Sequence, residues 1–242
     1  MENEDKRGML VVKQNDLIQK AKYNLTTNQQ KLISYLISEI KPTDKDLQWQ
    51  TITISDYCAL FGIDKNHFYK EFISLIDNLD KKEFWLESDK ELCKFRWFSE
   101  VKVMKKTGKI KILLHSSLKK YLLELKKNFT NYELYNVMAL KSKYSIRLYE
   151  IFKSYEFQKE KEFEVDNLKF LLDAESYTDF RNFRSKIIQI AIDEINLYTD
   201  INASFETVKK GRSISSIKFH IEQKAHFDKF ISYRKTINQL EN

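Results

Sequence analysis

The chain has 242 residues, 42 Lys+Arg against 35 Asp+Glu, a formal net charge of +7 and 42% apolar residues. That length holds one large domain or two small ones, each with its own core. No apolar run approaches the roughly 18 residues of a membrane span, and the acidic start Met1–Asp5 has no hydrophobic signal core. Four glycines and one proline argue against long flexible linkers, and Cys58 and Cys93 stand apart with no CxxC, as free thiols of a reducing cytoplasm would.

Residues 1–8 read as a solvated tail, and Met9–Lys22 as an amphipathic lead-in carrying Leu10, Val11, Leu17 and Ile18. Thr26 or Thr27, with Gln29 and Gln30 behind them, forms a capping box for a helix whose apolar stripe runs from Leu32 to Ile40 and which Pro42 ends. Gln50–Ile54 alternates like a short strand, Ser55 or Asp56 can cap a helix through Phe61, and Gly62 turns the chain. Asp64 can cap the next helix, in which Phe68, Phe72, Leu75, Ile76 and Leu79 share a face. Strands are expected over Phe84–Glu87, Phe95–Met104 and Ile110–Leu114, the last two joined by the turn Lys105–Lys109.

The order then repeats. Ser142–Glu156 is a helix, Phe163–Val165 a strand, and Asp166 caps a helix to Leu172. Asp179–Tyr198 is a longer helix, followed by a hairpin of Ala203–Val208 and Ile214–Ile221 around Lys209–Arg212. The same interval separates Leu32 from Leu148 and Ile76 from Ile192, while that from Ile52 to Phe163 is shorter. This pattern fits duplication with loop changes and equally fits two copies of a common motif. A helical unit closed by a basic hairpin is the outline of a winged helix. The fold class is therefore α+β and helix-rich: two tandem winged-helix domains, residues 9–127 and 128–225, with an amphipathic helical extension over 226–242.

Such a pair on a cationic chain points to duplex DNA. The last helix of each unit would lie in the major groove and read base edges from its N-terminal half. At 100° per residue, Phe180, Phe183, Ile187, Ile190, Ala191 and Ile195 of the second unit face inward. Arg181, Asn182, Ser185 and Gln189 face outward as candidate base readers. Lys186 at the rim and Arg184 at the flank suit phosphates, as do Lys209, Lys210 and Arg212 of the hairpin and the helix start Lys141, Ser142 and Lys143. The first unit is expected to grip DNA more weakly, through Asn66, His67 and Lys70 on its helix and Lys105, Lys106 and Lys109 on its hairpin, because Glu71, Asp77 and Asp80 dilute the helix charge. Val101–Leu123, by contrast, contains Lys102, Lys105, Lys106, Lys109, Lys111, Lys119 and Lys120 and no acid.

Enzyme signatures are absent. Gly108-Lys109 lacks the flanking residues of a P-loop, and His67, His115, His220 and His226 form no HxH or HExxH. No catalytic residue, metal or cofactor is expected.

Several runs resemble the initiator replication proteins of theta-replicating, iteron-containing plasmids. They are Val12–Leu17, Thr26–Leu32, Leu140-Lys-Ser-Lys-Tyr-Ser-Ile-Arg-Leu-Tyr-Glu150, Phe183–Ile187, Ala191–Asn196 and Lys209–Arg212. The likeness spans about Val11–Glu222, and the Leu140–Glu150 run is its most specific piece. It implies two winged helices in a bacterial cytoplasmic protein that binds directly repeated origin sites as a monomer and helps melt adjacent DNA. It also implies recruitment of a host initiator, helicase or helicase loader, and self-association through the N-terminal unit to repress its own gene. In that family the strong reader is the last helix of the second unit, here Arg181–Gln189. The rival reading is a dedicated winged-helix transcriptional repressor.

Overall fold

A computed structural model describes residues 9–41, 44–87, 91–123 and 125–227, and the side chains at 65–67 and 87 lie outside that description. The chain opens with strand β1 (Leu10–Gln14), the short helix α1 (Asn15–Gln19) and strand β2 (Ala21–Lys22). Helix α2 (Thr27–Ser38) starts at the expected capping box: Thr26 accepts from the Gln29 amide, and the Gln29 side chain accepts from the Thr26 amide. It ends at Ser38; the expected terminator Pro42 is outside the described residues.

Strand β3 (Gln50–Thr53) leads into α3 (Ile54–Phe61), which begins at Ile54 with Thr53 in the cap position, so neither Ser55 nor Asp56 caps it. Gly62 closes α3 with φ +65°, a left-handed conformation that favours glycine. Helix α4 (Lys65–Asp80) follows and buries Phe68, Phe72, Ile76 and Leu79.

Strands β4 (Glu83–Glu87), β5 (Leu92–Arg96), β6 (Phe98–Met104) and β7 (Lys109–Leu114) replace the three expected. The continuous strand over Phe95–Met104 is broken at Trp97. β5 pairs with β4 in the sheet β2-β4-β5, whereas β6 pairs with β7 in the sheet β3-β7-β6. The cause is the Trp97 side chain, buried against Tyr23 (ring centroids 5.3 Å apart) and Phe84 (4.5 Å). That aromatic cluster lets one chain segment leave one sheet and enter the next.

After α5 (Lys119–Leu122), strand β8 (Phe129–Glu133) pairs antiparallel with β1. Chain beyond the expected junction at 127/128 is thus hydrogen-bonded to the N-terminal lead-in. Helices α6 (Leu134–Ala139) and α7 (Lys143–Tyr155) follow, α7 being capped by Ser142. Strand β9 (Glu160–Glu164) and α8 (Val165–Leu171) come next; Glu164, and not Asp166, holds the cap position of α8.

Helix α9 spans 180–198 in three parts: an α turn Phe180–Phe183, a π-helical stretch Arg184–Gln189, and α-helix Ile190–Tyr198. Strands β10 (Ile201–Lys210) and β11 (Ser213–Gln223) complete the sheet β10-β11-β9.

The two passes share one topology. In β3-β7-β6 and in β10-β11-β9 the second hairpin strand is central, and the strand preceding the helix pair lies at an edge. The β4–β5 hairpin is an addition to the first pass. Of the C-terminal extension, Phe227 stacks on Tyr135 with centroids 5.8 Å apart, and residues 228–242 lie outside the described residues, as does the tail 1–8.

The junction between the passes is a buried ionic seam. Lys13 Nζ donates to Glu150 Oε1 at 2.5 Å, and Tyr132 Oη donates to the same oxygen at 2.5 Å. Arg147 Nη2 donates to the carbonyls of Ile18 (2.5 Å) and Ala21 (2.6 Å), its Nε donates to Leu171 O (3.3 Å), and its guanidinium lies 4.3 Å from the Tyr23 ring centroid. Lys13, Arg147 and Glu150 are all buried. Burial alone would raise the Glu150 carboxyl, but Lys13 and Arg147 overcome it and hold the group below its ordinary value. Arg147 and Glu150 belong to the run Leu140–Glu150, so that most distinctive stretch of sequence works in the interior.

Candidate nucleic-acid interface

Helix α9 is set up by its N-cap: Asp179 Oδ1 accepts from the Asn182 amide at 2.8 Å. Phe183, Ile187, Ile188, Ala191, Ile192 and Ile195 are buried. Arg181, Asn182, Ser185, Lys186 and Gln189 are exposed, as is Arg184. The inward face departs from the expected one: Ile188 and Ile192 are also buried, and Ile190 is out in solvent, 46% exposed. A π turn closes i→i+5 bonds and holds more residues than an α turn, so the register of everything after it advances.

Gln189 is exposed but engaged: its Nε2 donates to Asp193 Oδ1 at 2.9 Å. Reading adenine needs both ends of a carboxamide, so the donor expected to reach a base is held by the helix itself. Arg184 leaves the helix at the flank, as expected, and its guanidinium lies 5.7 Å from the centroid of Phe205 on β10.

The second hairpin turns at Gly211 (φ +65°), with Lys209, Lys210 and Arg212 exposed around it. β10 and β11 remain paired out to Lys210 and Ser213, with a bulge between Val208 and Lys209, while β9 reaches only Ser216. The last turn of the hairpin therefore projects beyond its own sheet. Among the described residues, Arg181, Lys186, Lys209, Lys210 and Arg212 have no acidic partner, whereas Lys13, Lys22, Lys94, Lys143, Lys153 and Lys218 all do.

The helix start at 141–143 differs from expectation. Glu194 Oε2 of α9 accepts the amides of Lys141 (3.1 Å) and Ser142 (3.2 Å), and the Ser142 hydroxyl accepts from the Tyr144 amide at 3.2 Å. Lys143 Nζ pairs with Asp173 at 3.2 Å. A carboxylate of the protein thus occupies the amides where a phosphate was expected, since both anions satisfy the same exposed N–H groups.

In the first unit, Lys70, Lys105, Lys106 and Lys109 are exposed; the side chains of Asn66 and His67 lie outside the described residues. The hairpin turns through Lys106 (φ +65°) and Gly108 (φ +63°). Its tip is tied back, because the Ile54 amide donates to Gly108 O at 2.9 Å and β3 pairs with β7 out to Lys109. Glu71, Asp77 and Asp80 on the same helix, α4, are exposed, and Asp77 pairs with Lys81. Among the described residues no group of three or more His, Cys, Asp or Glu is placed to hold a metal, and no helix is long and apolar enough to cross a membrane.

Two modules, each with a strand, a helix pair and a hairpin whose turn carries cations, define a tandem winged-helix protein. Residues 10–153 match the family described as Initiator Replication protein, WH1, and residues 164–221 match Initiator Rep protein, WH2. The chain belongs to this family of replication initiators. It is similar to an Escherichia coli replication initiation protein, with 25% identity over 97% of this chain and 74% of that one. Its fold is also that of the crystallised Pi initiator protein in complex with iteron DNA, with a TM-score of 0.74 and 21% identity over 91% of this chain and 99% of that chain.

Proposed function

We propose that this chain initiates plasmid replication by binding directly repeated duplex sites at an origin, acting by binding and without covalent chemistry of its own. The C-terminal unit reads sequence with Arg181, Asn182 and Ser185. Lys186, Arg184, Lys209, Lys210 and Arg212 hold phosphates around them, and the N-terminal unit adds backbone contacts through Lys105, Lys106 and Lys109. The observation that carries this reading is the set of unpaired cations on one helix and one projecting hairpin: a surface with no internal counterions is built for an external polyanion. Family membership and the iteron complex of the structurally similar Pi initiator support the choice of repeated origin sites.

The N-terminal unit supplies self-association. β5 is an edge strand of its sheet among the described residues, and Leu92 on it and Trp85 on the paired β4 are exposed. Origin melting, host helicase or initiator recruitment and autorepression follow from the family resemblance. The test is whether the gene and its neighbouring repeats maintain a plasmid lacking any other replicon, together with footprinting on one repeat. Protection over about two turns of DNA, with the two reader helices about one turn (~34 Å) apart, is expected. Protection confined to one turn, or failure to maintain the plasmid, overturns it.

A further inference from the structure

The π stretch in α9 exchanges two isoleucines. In an unbroken α-helix the inward set would be Phe183, Ile187, Ile190 and Ala191, at the i, i+4, i+7, i+8 spacing of a core face. The extra residue in the π turn buries Ile188 and turns Ile190 out, leaving it 46% exposed on the helix that bears Arg181, Asn182, Ser185 and Lys186. An exposed isoleucine alone means little on a protein surface. This one follows a rare helical distortion of the kind that recurs at functional sites. Its neighbours one turn back and one residue back, Lys186 and Gln189, are also exposed. The nearest acid in sequence, Asp193, accepts a hydrogen bond from Gln189, and Ile190 is the exposed apolar group on that turn, Ile187, Ile188 and Ala191 being buried.

We infer that Ile190 is a specificity-determining residue that packs against the C5-methyl of a thymine in the major groove. Thymine is the one base whose groove edge offers an apolar group, and apolar side chains are what read it. The inference rests on the reading of α9 as the base-reading helix.

The test uses the full-length chain and a duplex it selects from a random-sequence pool. Each thymine is replaced in turn by deoxyuracil, which deletes only the methyl group. The wild-type chain should lose about fourfold in affinity at one thymine, the effect of withdrawing one buried methyl, ~0.8 kcal/mol. Ile190→Ala should bind the thymine and uracil forms of that duplex equally. Its helical circular dichroism and its affinity for unselected duplex should match wild type, which separates a lost contact from a lost fold. A wild-type chain indifferent at every thymine, or an Ile190→Ala chain that keeps the sensitivity, overturns the contact while leaving the initiator reading intact. If no sequence is enriched from the pool, base reading by α9 fails, and the contact fails with it.

Discussion

Lys31 and Arg147 occupy corresponding positions in the two passes, each one residue before the matched pair Leu32 and Leu148, and each reaches toward the other half. Lys31 Nζ donates to Met138 O at 2.7 Å, whereas Arg147 donates to Ile18 O, Ala21 O and Leu171 O and lies beside Glu150. Burial with a single carbonyl partner lowers the Lys31 ammonium to about 8, despite Glu194 nearby. One position thus carries a poorly compensated cation in one unit and a well-compensated guanidinium in the other, whose planar fork can serve several acceptors at once. The hairpins diverge in the same way. The first is flanked by β3 over Lys109–Ile112 and tied at Gly108, while the tip of the second, with Lys209, Lys210 and Arg212, extends past β9. One plan is present in both units, but the hairpin of the second reaches further beyond its sheet.

The comparison can be broken at the seam first. Glu150→Ala leaves Lys13 and Arg147 buried without their carboxylate and should cost about 3–5 kcal/mol in urea unfolding. A loss below about 0.5 kcal/mol would mean that the halves do not depend on this network.

Lys31 tests the weaker counterpart. The folded chain holds its proton with a value of about 8, and the unfolded chain near 10.5, so between these values unfolding takes up a proton and raising the pH stabilises the fold. Stability should climb by ~2 kcal/mol between about pH 8 and 10 and fall back to its lower value below 8; Lys31→Met should flatten that rise. Equal slopes in the two chains would show that Lys31 is not the responsible group.

DNA binding sharpens the asymmetry. Arg181→Ala should lose about 1–3 kcal/mol on a selected site and relax specificity, and Lys70→Ala, on the acid-flanked helix of the first unit, should lose less. The reverse order in fluorescence anisotropy would reassign the reader to α4. Smallest is the hairpin effect: Lys210→Ala should lower the slope of log affinity against log salt by about 1 with specificity unchanged. Lys106→Ala should do no more, and an altered base preference in either would contradict a phosphate role.

Much of the plan was legible because its signals are local. The Thr26–Gln29 capping box, the left-handed glycines at 62, 108 and 211 and the two hairpin turns are written in residues next to one another. What escaped depends on tertiary contact. No glycine or proline marks the break at Trp97; only its burial against Tyr23 and Phe84 makes it. The π turn has no composition of its own, so a uniform 100° wheel placed Ile190 inside. Arg147 and Glu150 sit in a run rich in Ser and Lys that resembles a phosphate-binding helix start. Their partners, Lys13, Ile18 and Ala21, are more than a hundred residues away. Glu194, which fills the amides at 141–142, lies 53 and 52 residues from the two positions it completes.

The seam of Lys13, Arg147 and Glu150 also constrains how such a chain can change over generations. With charged groups interlocked in the interior, neither half can be exchanged for a stranger's without carrying its matching groups along. Adaptation to differently spaced target sites must then come from mutations inside this junction or from curvature of the DNA, since the pairing of β1 with β8 and the seam join the passes directly.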